Sequence, residues 1–195
     1  GKHKMDQLLT EEQKQFRQSV RRFVEKEAIP AAQEMDERGE FPRALFQRCA
    51  ANGYFALRYP ESVGGMDADF LTYCLMMEEI ARGSLSLGAV VAMQTLMGTD
   101  LVFRFGTDEH RQRLLAPALR GEKIGAIAMT EPDFGSDLGG ITTRAIQKDG
   151  GWEIHGRKMW ITSATVADFF TVAAKTDPEA GFKGIDFFLV EKERA

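Results

Sequence analysis

Cysteine is nearly absent. Cys49 and Cys74 are the only two, and they form no CxxC pair, which excludes a disulfide framework and a cysteine-rich zinc site. Both fall in apolar, helix-like stretches and read as reduced core thiols in a reducing compartment. Histidine is equally sparse. His3, His110 and His155 make no HxxxH or HExxH pair, so no metal site is expected. There is no excess of basic residues. Lys and Arg number 25 against 29 Asp and Glu, and the resulting net charge of −4 gives no electrostatic footprint for nucleic acid. No apolar run reads as long enough to cross a bilayer, and Gly-Lys-His-Lys-Met-Asp at the N-terminus lacks the apolar stretch of a signal peptide, so secretion is not expected. Met5 reads as the natural start, with Gly1 to Lys4 as an added lead. No G-x-G-x-x-G follows a predicted strand, which leaves a Rossmann nucleotide site without support.

What remains is ordinary globular material. With 195 residues and 44% hydrophobic content, the chain can bury a core in one or two domains. The first half reads helical. Thr10-Glu11-Glu12-Gln13 fits a capping box, and Phe16, Val20, Phe23 and Val24 follow on one face. Pro30 should end or kink that helix. Pro42 suits the first turn of a second helix through Leu45, Phe46 and Cys49, with Asn52-Gly53 as its stop. Helices are expected from about Phe70 to Ala81 and from about Ser86 to Met97. The latter is apolar nearly all round and should be buried. Thr107 can cap a last helix, Asp108 to Leu119.

The pattern changes after Gly121. Ile124 to Met129 suits a short strand. Thr142 to Gln147 and Trp152 to His155 flank Lys148-Asp149-Gly150-Gly151, a hairpin signal. Lys158 to Ile161, Phe169 to Ala174 and Asp186 to Val190 read as further strands. Helices first and strands after predict α+β, with a domain boundary near Lys123: residues 1–123 helical, residues 124–195 sheet.

Two segments invite chemistry. In Met129-Thr-Glu-Pro-Asp-Phe-Gly-Ser-Asp137, Pro132 stiffens a loop leaving a strand, Gly135 leaves room for close approach, and Thr130 and Ser136 carry hydroxyls. The plain alternative is a connection whose hydroxyls satisfy their own backbone. Trp160-Ile161-Thr162 is either core packing or an aromatic wall with a hydroxyl aimed at a heterocycle.

Together these motifs resemble those of the acyl-CoA dehydrogenase family. The resemblance extends to Leu8-Leu9-Thr10-Glu11-Glu12-Gln13, to Tyr59-Pro60-Glu61 with Gly64-Gly65, to Phe105-Gly106-Thr107 through Leu119-Arg120-Gly121-Glu122, and to Gly156-Arg157-Lys158-Met159. It implies an N-terminal all-α helical bundle, then an incomplete antiparallel β-barrel-like domain, with the family's C-terminal helical domain absent. It implies FAD as cofactor and an α,β-dehydrogenation of an acyl-CoA. Ile127, Ala128, Met129 and Thr130 would line the flavin, Thr130 on its pyrimidine side. Gly135 and Ser136 would meet the pyrophosphate, Ser136 also touching the acyl-CoA. Trp160 and Ile161 would flank the ring, and the Thr162 hydroxyl would approach N5. The family's base lies in its C-terminal domain, so no catalytic base is assigned here. Glu131 and Asp137 read as loop braces. Phe134 and Asp133 stand where the family usually has small residues, which bears on loop shape and substrate fit. Electron-transfer flavoprotein is the implied acceptor. A homo-oligomer, or association with the missing half, is implied, in a bacterial cytoplasm or mitochondrial matrix. An acyl-CoA oxidase, a carrier-protein thioester dehydrogenase and a non-catalytic scaffold of the same fold share these motifs.

Overall fold

The computed structural model describes residues 8–194; the reading of Gly1 to Met5, and His3 with it, lies outside the described residues. Thr10 opens the first helix as expected. Its hydroxyl accepts the Gln13 amide and the Gln13 side chain accepts the Thr10 amide, both at 3.1 Å. Helix α1 (Glu11–Phe23) widens into a π-turn (Val24–Ala28) and continues as α2 (Ile29–Arg38). The helix therefore does not end at Pro30. Ile29 donates to Val24, five residues back, so the ladder shifts register just before the residue that lacks a donor. Helix α3 (Arg43–Ala51) buries Leu45, Phe46 and Cys49.

Asp69 caps α4 (Phe70–Gly83), accepting the Thr72 amide at 2.8 Å. Helix α5 (Leu85–Ala92) runs into a second π-turn (Met93–Met97). A short α6 (Asp100–Phe105), to which the sequence reading assigned nothing, follows it. The helix capped by Thr107 divides into α7 (Asp108–His110), a third π-turn (Arg111–Leu115) and α8 (Ala116–Leu119).

Three expectations fail here. The α5 helix is buried on one face only: Leu87 and Val91 are inside, whereas Leu85 is 77% exposed. Cys74 is exposed; Cys49 alone is a core thiol, and burial pushes it up to about 12. The stretch Leu85–Phe105 is long and apolar enough, by length and composition, to cross a membrane. It packs against the helical core on one face, and its polar side chains Gln94, Thr95 and Thr99 are buried and hydrogen-bonded.

The second part is a five-stranded sheet: β1 (Gly125–Ala128), β2 (Arg144–Lys148), β3 (Gly151–His155), β4 (Phe169–Lys175) and β5 (Ile185–Glu191). The β2–β3 hairpin turns through Asp149-Gly150, with Gly150 at φ +79°, as its sequence requires. Strand β4 is central. β5 runs antiparallel along all of it, while β1 and the end of β2 share its other edge, both parallel. The sheet is thus mixed, not wholly antiparallel. The chain between β1 and β4 is long enough for the crossover that parallel pairing needs. No strand forms at Lys158–Ile161, which is irregular.

What positions the site is the seam between the parts. Ile124, Ala126 and Ala167 join Phe46, Met76, Ile80 and Leu87 in one buried cluster. Gln94 reaches across from the second π-turn, donating to the Ala118 and Lys123 carbonyls at 2.9 and 2.8 Å and accepting the Gly125 amide at 3.2 Å. The Asp168 carboxylate accepts the Ile124 amide at 2.7 Å. Strand β1 is therefore pinned at its start, and the loop leaving its far end begins from a fixed point.

Candidate flavin-facing site

Beyond β1 the chain folds back on itself. The Glu131 amide donates to the Phe134 carbonyl at 2.9 Å, and the Phe134 amide returns to Glu131 at 3.3 Å. The Phe134 ring lies over Gly140, where any Cβ would collide with it. The bulk that sets this loop apart from the family's usual small residue is thus matched by a glycine six positions on.

Glu131 is 3% exposed. Its carboxylate accepts the Thr142 amide (2.7 Å), the Thr142 hydroxyl (2.8 Å), the Thr143 amide (3.0 Å) and the Lys158 ammonium (2.9 Å). Burial alone would raise the carboxyl. Hydrogen bonds from the Thr142–Thr143 segment and from Lys158 outweigh it and hold the group at about 2. Lys158 also donates to the Met129 carbonyl at 2.9 Å, and the Met159 amide donates to the Thr130 carbonyl at 2.9 Å. The two motifs, separate in sequence, therefore lie side by side.

The next residue breaks the backbone pattern. Trp160 sits at φ +60°, a left-handed conformation that a bulky side chain rarely adopts, and its side chain is 84% exposed. Ser163 is also left-handed, at φ +64°. An exposed indole on a backbone held in a costly conformation points to a surface kept for contact rather than for packing.

The other predicted site residues fall into two groups. Thr130 and Thr162 are half-buried and Ser136 is exposed, and among the described residues no protein group hydrogen-bonds their hydroxyls. Nothing lies within 4 Å of a Cβ built on Gly135. The amides of Gly135 and Ser136 donate to no described protein group. By contrast, Ala128 is buried, Ile161 packs against the helical core, and Ile127 pairs with Thr171 in the sheet. Ile127 and Met129 are half-buried. Open hydroxyls, free amides, an open glycine and a presented indole, together termed the cradle, are donor and wall chemistry of the kind a flavin and its pyrophosphate need. Asp137 is exposed, away from the buried clamp. The sequence reading missed Lys158, placing it in a strand. The available signal was Glu131: a carboxylate one turn beyond a buried strand calls for a cation.

Known proteins resemble this chain along nearly its whole length. The chain matches the acyl-CoA dehydrogenase N-terminal domain over residues 10–122 and the acyl-CoA dehydrogenase middle domain over residues 126–195. It is 50% identical over 189 residues to benzylmalonyl-CoA dehydrogenase of Aromatoleum aromaticum, covering 97% of this chain and 49% of that one. Its structure is similar to that of an acyl-CoA dehydrogenase from Geobacillus kaustophilus, with a TM-score of 0.89 and 36% identity over 95% of this chain and 49% of the other. It is also similar to PigA in its FAD complex, with a TM-score of 0.87 and 31% identity over 94% and 49%. The chain spans about half the length of the curated relatives it matches.

Proposed function

The chain belongs to the acyl-CoA dehydrogenase family, and from that premise we propose that it supplies the helical part and the flavin-facing loops of an FAD-dependent dehydrogenase acting on acyl-CoA thioesters, with the boundary between its parts near Lys123. The observation that carries this reading is the bond from the Met159 amide to the Thr130 carbonyl, which brings the Thr130 loop beside the segment that presents an exposed, left-handed Trp160. FAD, when bound, would take up the hydride lost from the β-carbon of the acyl group. The chain's own residues hold and orient. The Trp160 indole offers a flat apolar wall. The Thr130 and Thr162 hydroxyls are free to donate to ring heteroatoms, and the Gly135 and Ser136 amides to take phosphate oxygens. The Ser136 hydroxyl, which is exposed, would be the group to meet the thioester.

No residue described here suits removal of the α-proton. A base working near neutrality needs a carboxylate whose pKa is raised by a dry, unpaired setting. Glu131 has the opposite setting, with four hydrogen bonds and a pKa of about 2. We therefore assign it as a brace and propose that these 195 residues alone do not dehydrogenate a thioester. The remaining proposals follow the family: electron-transfer flavoprotein as acceptor, a homo-oligomeric assembly, and a place in a bacterial cytoplasm or mitochondrial matrix.

The test uses the complete protein that carries this chain. Its visible spectrum should show bound flavin, and anaerobic addition of an acyl-CoA should bleach it. The relative at 50% identity makes an aryl-substituted acyl-CoA the first probe, with a straight-chain acyl-CoA as comparison. A complete protein that takes up no FAD would sink the reading. Bleaching followed by oxygen uptake and peroxide release would move it to an oxidase.

A further inference from the structure

Two charged side chains lie beneath the cradle and meet none of its open groups. The Glu131 side chain is 2% exposed and the Lys158 side chain 11%. Burying an ion pair is costly unless both partners are fully hydrogen-bonded, and an apolar pair of similar volume often serves stability as well or better. Here the carboxylate accepts four hydrogen bonds and the ammonium donates two, and the partners come from separate stretches. Thr142 and Thr143 close on the carboxylate from one side and Lys158 from the other, while the Lys158 ammonium also draws in the Met129 carbonyl. One peptide beyond each end of that clamp stand the groups that face outward. Thr130 follows Met129, and Met159, bonded to the Thr130 carbonyl, leads directly into Trp160.

An ion pair differs from apolar packing in being directional. The carboxylate fixes where the Thr142–Thr143 amides lie, and the ammonium fixes how far Met129 stands from the segment that carries Trp160. An apolar replacement fills the same space and leaves those distances free. We propose that Glu131 and Lys158 are the positioning pair of the cradle: they preset Thr130, Trp160 and Thr162 for a flat heterocycle and so raise affinity for FAD without touching it. This inference rests on the flavin reading above. Preorganisation of this kind strengthens binding by removing the ordering that a ligand would otherwise impose.

The experiment uses the complete flavoprotein stripped of its flavin, as wild type, as Lys158→Met and as the double variant Glu131→Gln/Lys158→Met. Hydrogen exchange at the Met159, Thr142 and Thr143 amides reads the clamp without any ligand. Fluorescence quenching on FAD addition gives the dissociation constant. In Lys158→Met, those amides should exchange faster and FAD affinity should fall about 10- to 100-fold, the range typical of an orienting partner. The double variant separates positioning from stability. It no longer buries an unpaired charge, so its unfolding midpoint should recover toward wild type, while FAD affinity stays low. Recovery of affinity together with stability would overturn the proposal, as would affinity within twofold of wild type in both variants. Should Lys158→Met fail to fold, the double variant carries the same decision. A wild type that takes up no FAD removes the flavin reading and this inference with it, and the amide exchange, responding regardless, tells that outcome from the others.

Discussion

Each half of the molecule buries one glutamate, and the two differ in what they leave free around them. Glu79, 2% exposed, lies among helices between Arg21 and Arg82. Burial opposes its charge, but the two arginines outweigh it and lower the carboxyl. Elsewhere in the helical half, buried polar groups are closed on one another. The Tyr59 hydroxyl meets Thr99 and the Thr95 carbonyl, Tyr73 meets the Thr95 hydroxyl, and Thr99 donates to the Gln94 carbonyl. Those side chains occupy carbonyls that the second π-turn frees from the helix ladder. Glu131 is as deeply buried, yet the loop above it leaves Thr130, Ser136 and Thr162 without protein partners and Trp160 in solvent. A buried carboxylate in the helical half ends a network, whereas the one in the sheet half supports a surface that is still open. Equal burial thus accompanies a closed ion-pair cluster in one place and, on the proposal made above, a binding site in the other.

The strongest way to break this contrast is to ask whether the halves are separable at all. Phe46 is fully buried, its ring tilted against that of Phe55 at 4.5 Å between centroids, in a cluster that includes Ile124 and Ala126. Phe46→Ala should cost about 4 kcal/mol. Both tryptophans, Trp152 and Trp160, lie in the sheet half. Their emission in a urea titration should therefore report the loss; an unmoved midpoint would mean that the sheet half unfolds alone.

Acid titration comes next. Glu131 drops from an ordinary 4.5 to about 2 in the folded protein, so between those values the unfolded chain binds the extra proton. Its stabilisation is complete above about pH 4.5 and is lost as pH falls toward 2, on the order of 3 kcal/mol. Glu79 is lowered as well and adds in the same direction. Glu131→Gln should flatten the acid limb of the stability curve, and an unchanged limb would assign the whole effect to the helical half.

A smaller effect isolates the loop. Gly140→Val drives a side chain into the Phe134 ring and should destabilise by about 2 kcal/mol. Most of that should return in the double variant Phe134→Ala/Gly140→Val. Additive losses would show that the ring and the glycine do not depend on each other. Smallest of all is Trp160→Ala. Exposed as it is, its removal should shift stability by no more than about 0.5 kcal/mol while weakening FAD binding. A large stability loss would make Trp160 a structural residue and erase the difference between the halves.

Much of the fold was legible because its signals are local. Thr10 with Gln13, Thr107 before Asp108, and Asp149-Gly150 between two β-prone runs act within a few residues, through caps and turns that any tertiary setting respects. The site was legible only as a set of residue types. That Thr130, Ser136 and Thr162 keep free hydroxyls could not be read from the chain, since each had a plausible backbone partner close by. The left-handed Trp160 ran against its strand-like neighbours. Pro30, expected to end or kink its helix, does not end it, because a π-turn moves the ladder around it.

The amino-acid sequence by itself determined the order of helices and strands, the caps and the hairpin, and the family motifs at Thr130–Ser136 and Trp160–Thr162. Tertiary structure alone decided that β1 and β4 run parallel, that Lys158 rather than solvent answers Glu131, and that the two motifs meet. The reason is one of range. Propensity and periodicity act over a single turn or a pair of strand residues, but a buried carboxylate is stabilised by whatever cation comes within about 3 Å, and which one does depends on the path of the whole chain.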